Sequence, residues 1–152
     1  MTRRDVRELP AGRLLGVDLG TVRIGIALSD PEQTIATPHQ TVDVDPEATV
    51  VDLAARIAGL ARSLSASGVV VGHPRTLANR EGRAGARARK VADQLAAHHD
   101  LPVALVDERF STVEAARVMR DQGVDARAGR DDVDKVAAAV ILQLALERRR
   151  TG

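Results

Sequence analysis

The chain has 152 residues, 44% of them hydrophobic, with a formal net charge of +1 and no cysteine. This length and hydrophobic content suit one compact domain with a buried core, and they argue against a disordered chain. Without cysteine, the chain has no disulfides, zinc–thiolate centres or thiol catalysis. Phe110 is the one aromatic residue, so base stacking on aromatic side chains is not expected, whereas recognition of a nucleic-acid backbone stays open.

The charged N-terminus has no apolar segment behind it, and no apolar run reaches the roughly 18 residues of a membrane-spanning helix. We therefore expect a cytoplasmic protein without a membrane partner. Residues 1–11 are predicted to form a flexible N-terminal tail that ends at Pro10. Residues 12–150 are predicted to form a single domain.

Hydrophobic periodicity predicts the elements in chain order. The predicted strands are 13–19, 23–29, 35–42, 69–72 and 102–106, and the predicted helices are 46–64, 81–98, 111–122 and 131–149. The first three strands form an antiparallel meander. The later strands alternate with helices, which favours parallel pairing. The prediction is an α/β fold with a mixed five-stranded sheet flanked by helices.

Acidic residues close two of the predicted strands. Asp18 ends the first strand, and Asp107 and Glu108 follow the last strand. Asp134 lies in the first turn of the last helix, on the stripe that faces the core. Because ligands of α/β sheets gather at the carboxyl ends of the strands, we expect these acids to converge there.

Converging carboxylates without histidine or cysteine would suit Mg²⁺ or Mn²⁺. Each acid also has a simpler interpretation. Asp18 could mark a hairpin turn, Asp134 could stabilise a helix N-terminus, and the acidic pair could form ion pairs with Arg23 or Arg109. The joint placement of the acids favours the metal site over three separate structural roles.

Basic residues are concentrated between positions 75 and 90, where six of them accompany one acid, Glu81. Arginine binds phosphate through its two-pronged guanidinium, so this stretch is a candidate nucleic-acid surface. A solvated helix face is the alternative. The candidate nucleic-acid-binding residues are Arg23, Arg75, Arg80, Arg83, Arg87, Arg109 and Lys135.

Four ordered segments, 18–27, 69–74, 107–115 and 134–143, resemble the motifs of the YqgF family, also called RuvX. The resemblance covers nearly the whole chain and implies an RNase H-like fold. Members of this family are implicated in maturing the 5′ end of the pre-16S ribosomal RNA. They have also been assigned Holliday junction resolution by similarity to RuvC.

The resemblance implies a metal-dependent nuclease that acts in ribosome biogenesis, with Asp18, Glu108 and Asp134 as catalytic and metal-binding residues. Asp107 is a secondary candidate, because neighbouring strand residues point to opposite faces. His73 departs from the family pattern, since an apolar residue is expected there.

Three alternatives are weighed against this reading. A Holliday junction resolvase would act in DNA recombination and repair, and it would need a homodimer to cut two strands. A non-catalytic nucleic-acid-binding module is the second. An ATPase fragment is the third, and it is disfavoured because those proteins place two such domains around the nucleotide.

Overall fold

The computed structural model describes residues 2–74, 80–107 and 130–151, without the side chains of 130–133. Its sheet has five strands in the order β3-β2-β1-β4-β5. They are β1 (Leu14–Leu19), β2 (Arg23–Ser29), β3 (Ala36–Asp43), β4 (Gly68–His73) and β5 (Val103–Asp107). The pairs β1–β2 and β2–β3 are antiparallel, whereas β1–β4 and β4–β5 are parallel. The predicted mixed sheet is therefore confirmed.

The described helices are α1 (Val50–Ser63), α2 (Arg83–His98) and α3 (Arg130–Thr151). Leu15 and Val17 of β1 belong to a core shared with α1 and α2, whereas Leu14 belongs to a core shared with α3. Because successive strand residues point to opposite faces, this alternation places α1 and α2 on one face of the sheet and α3 on the other. None of the described helices is long and apolar enough to cross a membrane.

The start of α1 shows how local capping sets a helix boundary. The sequence pattern predicts a helix from residue 46, but α1 begins after Thr49. The Thr49 hydroxyl accepts a hydrogen bond from the Asp52 backbone, and the Asp52 carboxylate accepts one from the Thr49 backbone. Hydrogen bonding of the Asp52 carboxylate, first to the Thr49 backbone and then to its side chain, lowers the pKa of Asp52 below its usual 3.8. The reciprocal bonds between the two residues define the first turn of α1. The predicted helix 111–122 lies outside the described residues.

Pro38 lies in β3, the strand at the edge of the sheet. The β2–β3 register shifts between Ile26 and Ala27, whose partners are Gln40 and Pro38. A residue without an N–H is tolerated at such a bulge on an edge strand.

The N-terminal segment differs from the flexible tail that the sequence predicts. Val6 and Leu9 are buried against α3, and the Arg4 backbone donates to the carbonyl of Val103 at 2.8 Å. Arg149 of α3 donates to the carbonyl of Val6 at 2.6 Å. Two apolar side chains inside a charged segment are enough to pack it against the core shared with α3. The sequence prediction missed them because two isolated apolar residues form no periodic pattern.

Candidate functional site

Asp18 is the next-to-last residue of β1, where the strand leaves the buried core and becomes half-exposed. Its partner across the β1–β2 ladder is Gly25. Directly opposed residues of antiparallel strands project to the same face, with Cβ positions about 4.5–5.5 Å apart. The Asp18 side chain therefore shares its face of the sheet with the space above Gly25.

The second turn of α3 occupies that space. A Cβ atom on Gly25 would overlap the backbone carbonyl of Asp134, and it would lie 3.1 Å from the nitrogen of Lys135. One and two turns further along α3, the carbonyl of Ala138 and the side chain of Leu142 lie 3.0 Å and 2.8 Å from the position a Cβ on Gly16 would take. The absence of side chains at both glycines lets α3 rest on the sheet backbone. This close packing brings Asp134 beside the end of β1 that carries Asp18.

Arg23 lies between two carboxylates at this edge of the sheet. Its Nη1 is 3.7 Å from Oδ2 of Asp134, and its Nε is 4.0 Å from Oδ1 of Asp43. Asp43 is almost fully exposed, whereas the side chains of Arg23 and Asp134 are about 28% and 33% exposed. Arg23 is one of the predicted nucleic-acid contacts. In the structure its charge is shared with Asp134, so it offsets part of the repulsion among the acids.

Asp107 ends β5 on the other face of the sheet. Ala104 and Val106 of β5 belong to the core under α3, whereas Val103 belongs to the core under α1 and α2. Strand alternation gives Asp107 the same side as Val103, away from Asp18. Asp107 is paired in register with His73 of β4. Glu108 lies outside the described residues.

His73 is buried at the end of β4, and its Nε2 is 2.9 Å from Oε2 of Glu81. Arg89 of α2 reaches the same carboxylate from 3.1 Å. The hydrogen bond with His73, aided by Arg89, keeps the pKa of Glu81 below its usual 4.5. Gly85 lets the helix approach this pair, since a Cβ there would lie 2.6 Å from the Pro74 carbonyl. The His73–Glu81 contact thus helps to hold the segment that leads into α2 against the end of β4.

Because the pKa of Glu81 is lower in the folded than in the unfolded protein, its contribution to stability is present above pH 4.5 and disappears in acid. Glu81→Gln should therefore lower the urea midpoint at pH 7, and the gap to the wild type should close as the pH falls to about 3. In a His73→Ala background, Glu81→Gln should change the urea midpoint at pH 7 by less, since the main partner of Glu81 is gone. A gap that is constant with pH or grows in acid would contradict this assignment.

The predicted basic residues do not form one free surface. Arg80 and Arg83 are exposed near the start of α2, which follows the carboxyl end of β4. Arg87, one turn further, is half-buried and donates to the protein backbone. Lys135 is half-buried beside Asp134. The remaining candidates, Arg75 and Arg109, lie outside the described residues.

Within the described part of the chain, no three acidic or histidine residues are grouped closely enough to hold a metal ion. Asp18 and Asp134 supply two hard oxygen donors on one face. The third candidate, Glu108, lies outside the described residues. Carboxylate oxygen is the donor type that Mg²⁺ and Mn²⁺ prefer, so the donors present fit such an ion.

The sheet order and the covering helices define an RNase H-like fold. Among solved structures, the fold resembles RuvC of T. thermophilus in complex with a Holliday junction substrate, with a TM-score of 0.61 and 19% sequence identity. The similarity covers 92% of this chain and 96% of the RuvC chain. At that identity the comparison speaks for the fold alone.

The sequence comparisons define the family. A profile of the family described as "RuvX: Holliday junction resolvase" matches residues 12–148. A protein of Mycobacterium ulcerans is 46% identical over 141 residues, covering 92% of this chain and 81% of its own length. One of Mycolicibacterium paratuberculosis is 47% identical over 142 residues, covering 93% and 83%. Both carry the name "Putative pre-16S rRNA nuclease".

The chain therefore belongs to the RuvX family, and its relatives identify it as a nuclease. Nucleases of the RuvC and RuvX kind generally depend on divalent metal ions. The family expected from the four sequence motifs is confirmed.

Sequence reasoning missed two contacts that shape this site. Gly25 lies within the predicted strand 23–29, but nothing in the local sequence shows that α3 packs directly on it. The contact of Arg87 with the β1–β2 turn was missed for the same reason. Both contacts join residues far apart in the chain, and periodicity and spacing describe only near neighbours.

Proposed function

We propose that this chain is a metal-dependent endonuclease that trims the 5′ end of the pre-16S ribosomal RNA. The observation that carries the proposal is the packing of α3 on Gly25, the ladder partner of Asp18. This packing sets Asp134 on the same face of the sheet as Asp18. The names of the relatives supply the substrate class.

In this proposal Asp18, Glu108 and Asp134 hold the metal ions. The face occupied by Asp107 favours Glu108 as the third ligand, because Asp107 is on the side of α1 and α2. A bound Mg²⁺ or Mn²⁺ pair would supply an activated water and stabilise the leaving oxygen of the phosphodiester. Asp18 and Asp134 fix the position of that chemistry, and Arg23 limits the repulsion between them.

Exposed Arg80 and Arg83 are the proposed contacts for the phosphate backbone. Arginine binds phosphate without reading the base, which suits a chain that has one aromatic residue for stacking. Lys135, beside Asp134 on α3, is a third contact near the acids. We place Arg75 and Arg109 in the same role by sequence alone.

Holliday junction resolution is the second candidate, and the family description and the RuvC-like fold favour it. A resolvase cuts two strands symmetrically, so it would act as a homodimer. Phosphate contacts do not separate RNA from branched DNA, and the substrate therefore has to be decided by experiment.

The test is cleavage of two labelled substrates, a pre-16S ribosomal RNA fragment and a four-way DNA junction, with Mg²⁺, Mn²⁺ or EDTA. We expect metal-dependent cutting of the RNA at its 5′ side and none of the junction. Paired symmetric cuts in the junction alone would replace the proposal with the resolvase. Binding without cleavage of either substrate would make the chain a non-catalytic module.

A further inference from the structure

Arg87 differs from the other candidate nucleic-acid-binding residues of α2. Its Nη1 donates to the backbone carbonyl of Gly20 at 2.7 Å, in a partly buried contact. Arg83, one helical turn earlier, is exposed. A guanidinium held this way uses one of its N–H groups to bind the protein itself. The position of Arg87 in the basic stretch therefore does not by itself make it a phosphate contact.

The carbonyl that Arg87 holds belongs to the turn between β1 and β2. The Gly20 backbone donates to the carbonyl of Arg23 at 2.8 Å, and a Cβ on Gly20 would lie 2.5 Å from the same oxygen. The turn is therefore closed tightly on itself. Its other side is joined to β3, since the Val44 backbone donates to the carbonyl of Val22 at 2.9 Å.

This turn connects two residues of the candidate site. Asp18 lies two positions before Gly20, and Arg23, the partner of Asp134, closes the turn. Arg87 reaches the turn from α2, on the face of the sheet opposite α3. A hydrogen bond from a charged donor is stronger than one between neutral groups, so Arg87 is a firm anchor for the turn.

We propose that Arg87 is a positioning residue that holds Asp18 in place through the Gly20 carbonyl, and that it does not bind nucleic acid. The inference rests on the proposed nuclease function for its catalytic consequence. Small displacements of a reacting group lower the rate steeply, whereas they leave distant substrate contacts intact. The role therefore predicts a change in kcat without a change in KM.

Arg87→Gln and Arg83→Gln remove the same charge from the same helix, one turn apart. For Arg87→Gln we expect kcat to fall by about tenfold, with KM and the salt dependence of binding unchanged. For Arg83→Gln we expect a higher KM and a salt slope that is lower by about one, as for a lost phosphate contact. Arg148→Gln, at the exposed end of α3, is the charge-matched control for both.

Arg87→Lys keeps a charged donor and should recover part of the lost kcat, which a general loss of stability would not explain. Amide hydrogen exchange adds a readout that needs no cleavage. Exchange at residues 20–23 should be faster in Arg87→Gln than in the wild type or in Arg83→Gln. Thermal melting of each variant verifies that it is folded.

A raised KM with a reduced salt slope and unchanged kcat in Arg87→Gln would overturn the proposal, and so would unchanged kinetics and exchange. If the wild type cleaves neither substrate, the proposed nuclease function fails separately. In that case exchange at the turn and the Kd for labelled RNA decide the role of Arg87. Faster exchange with unchanged Kd supports positioning, and a weakened Kd overturns it.

Discussion

Asp18→Asn should abolish nucleic-acid cleavage while the protein stays folded. Asparagine has the shape of aspartate, but it lacks the negative charge that a metal ligand supplies at this position. Metal chemistry contributes several kcal/mol to phosphodiester cleavage, so kcat/KM should fall by about a thousandfold or more. The measurement is a single-turnover assay on the pre-16S ribosomal RNA fragment with saturating Mn²⁺.

Folding should not suffer in this variant, because one of several mutually repelling carboxylates becomes neutral. Without metal, the melting temperature of Asp18→Asn should equal or exceed that of the wild type. Asp43→Asn is the matched control. It makes the same chemical change at the same edge of the sheet, but its side chain is 97% exposed, and we expect nearly full activity. Cleavage retained in Asp18→Asn would contradict the proposed ligand set.

Gly25→Ala should be among the most damaging single-methyl substitutions in the chain. The added Cβ would overlap the backbone carbonyl of Asp134, and backbone cannot move aside as a flexible side chain can. Helix α3 would have to lift from β2, at a cost of about 3 kcal/mol in the free energy of unfolding. Cleavage should also fall, since lifting the helix separates Asp134 from Asp18. Urea unfolding with paired activity assays measures both effects.

Gly59→Ala provides the control for that substitution. Gly59 lies inside α1, and nothing is within 4 Å of the Cβ that alanine would add. Alanine in a helix interior should stabilise the protein by about 0.5–1 kcal/mol. If Gly25→Ala were as harmless as Gly59→Ala, the close packing of α3 on the sheet would be wrong, and with it the approach of Asp134 to Asp18.

Sequence reasoning predicted this fold well where a single element carries its own pattern. The range 23–29 of β2 was predicted without error. Strand β4, which is buried on both faces, was predicted as the apolar run 69–72 and extends one residue further at each end. Boundaries were shifted where a cap decided them, as at Thr49. The contribution of Val6 and Leu9 to the core shared with α3 was missed, because two apolar residues in a charged segment give no periodic signal.

The candidate site was predictable in part for a physical reason. Because ligands of α/β sheets gather at the carboxyl ends of the strands, the joint placement of Asp18 and the other acids predicts a metal site, which Asp18 alone would not. The pairing of Asp18 with Gly25, and of Gly25 with the backbone of Asp134, depends on tertiary packing that no local pattern encodes. The same holds for His73, which could be read only as a departure from the family until its contact with Glu81 was visible.

Metal binding tests the central claim most directly, because it needs no knowledge of the substrate. Mn²⁺ would be titrated into the wild type and into Asp18→Asn, Asp134→Asn, Glu108→Gln and Asp107→Asn. We expect each of the first three variants to weaken Mn²⁺ binding by about tenfold or more, and Asp107→Asn, on the opposite face of the sheet, to bind as the wild type does. Unchanged binding in Asp18→Asn and Asp134→Asn, or a loss in Asp107→Asn as large as in Asp18→Asn, would contradict the proposed site.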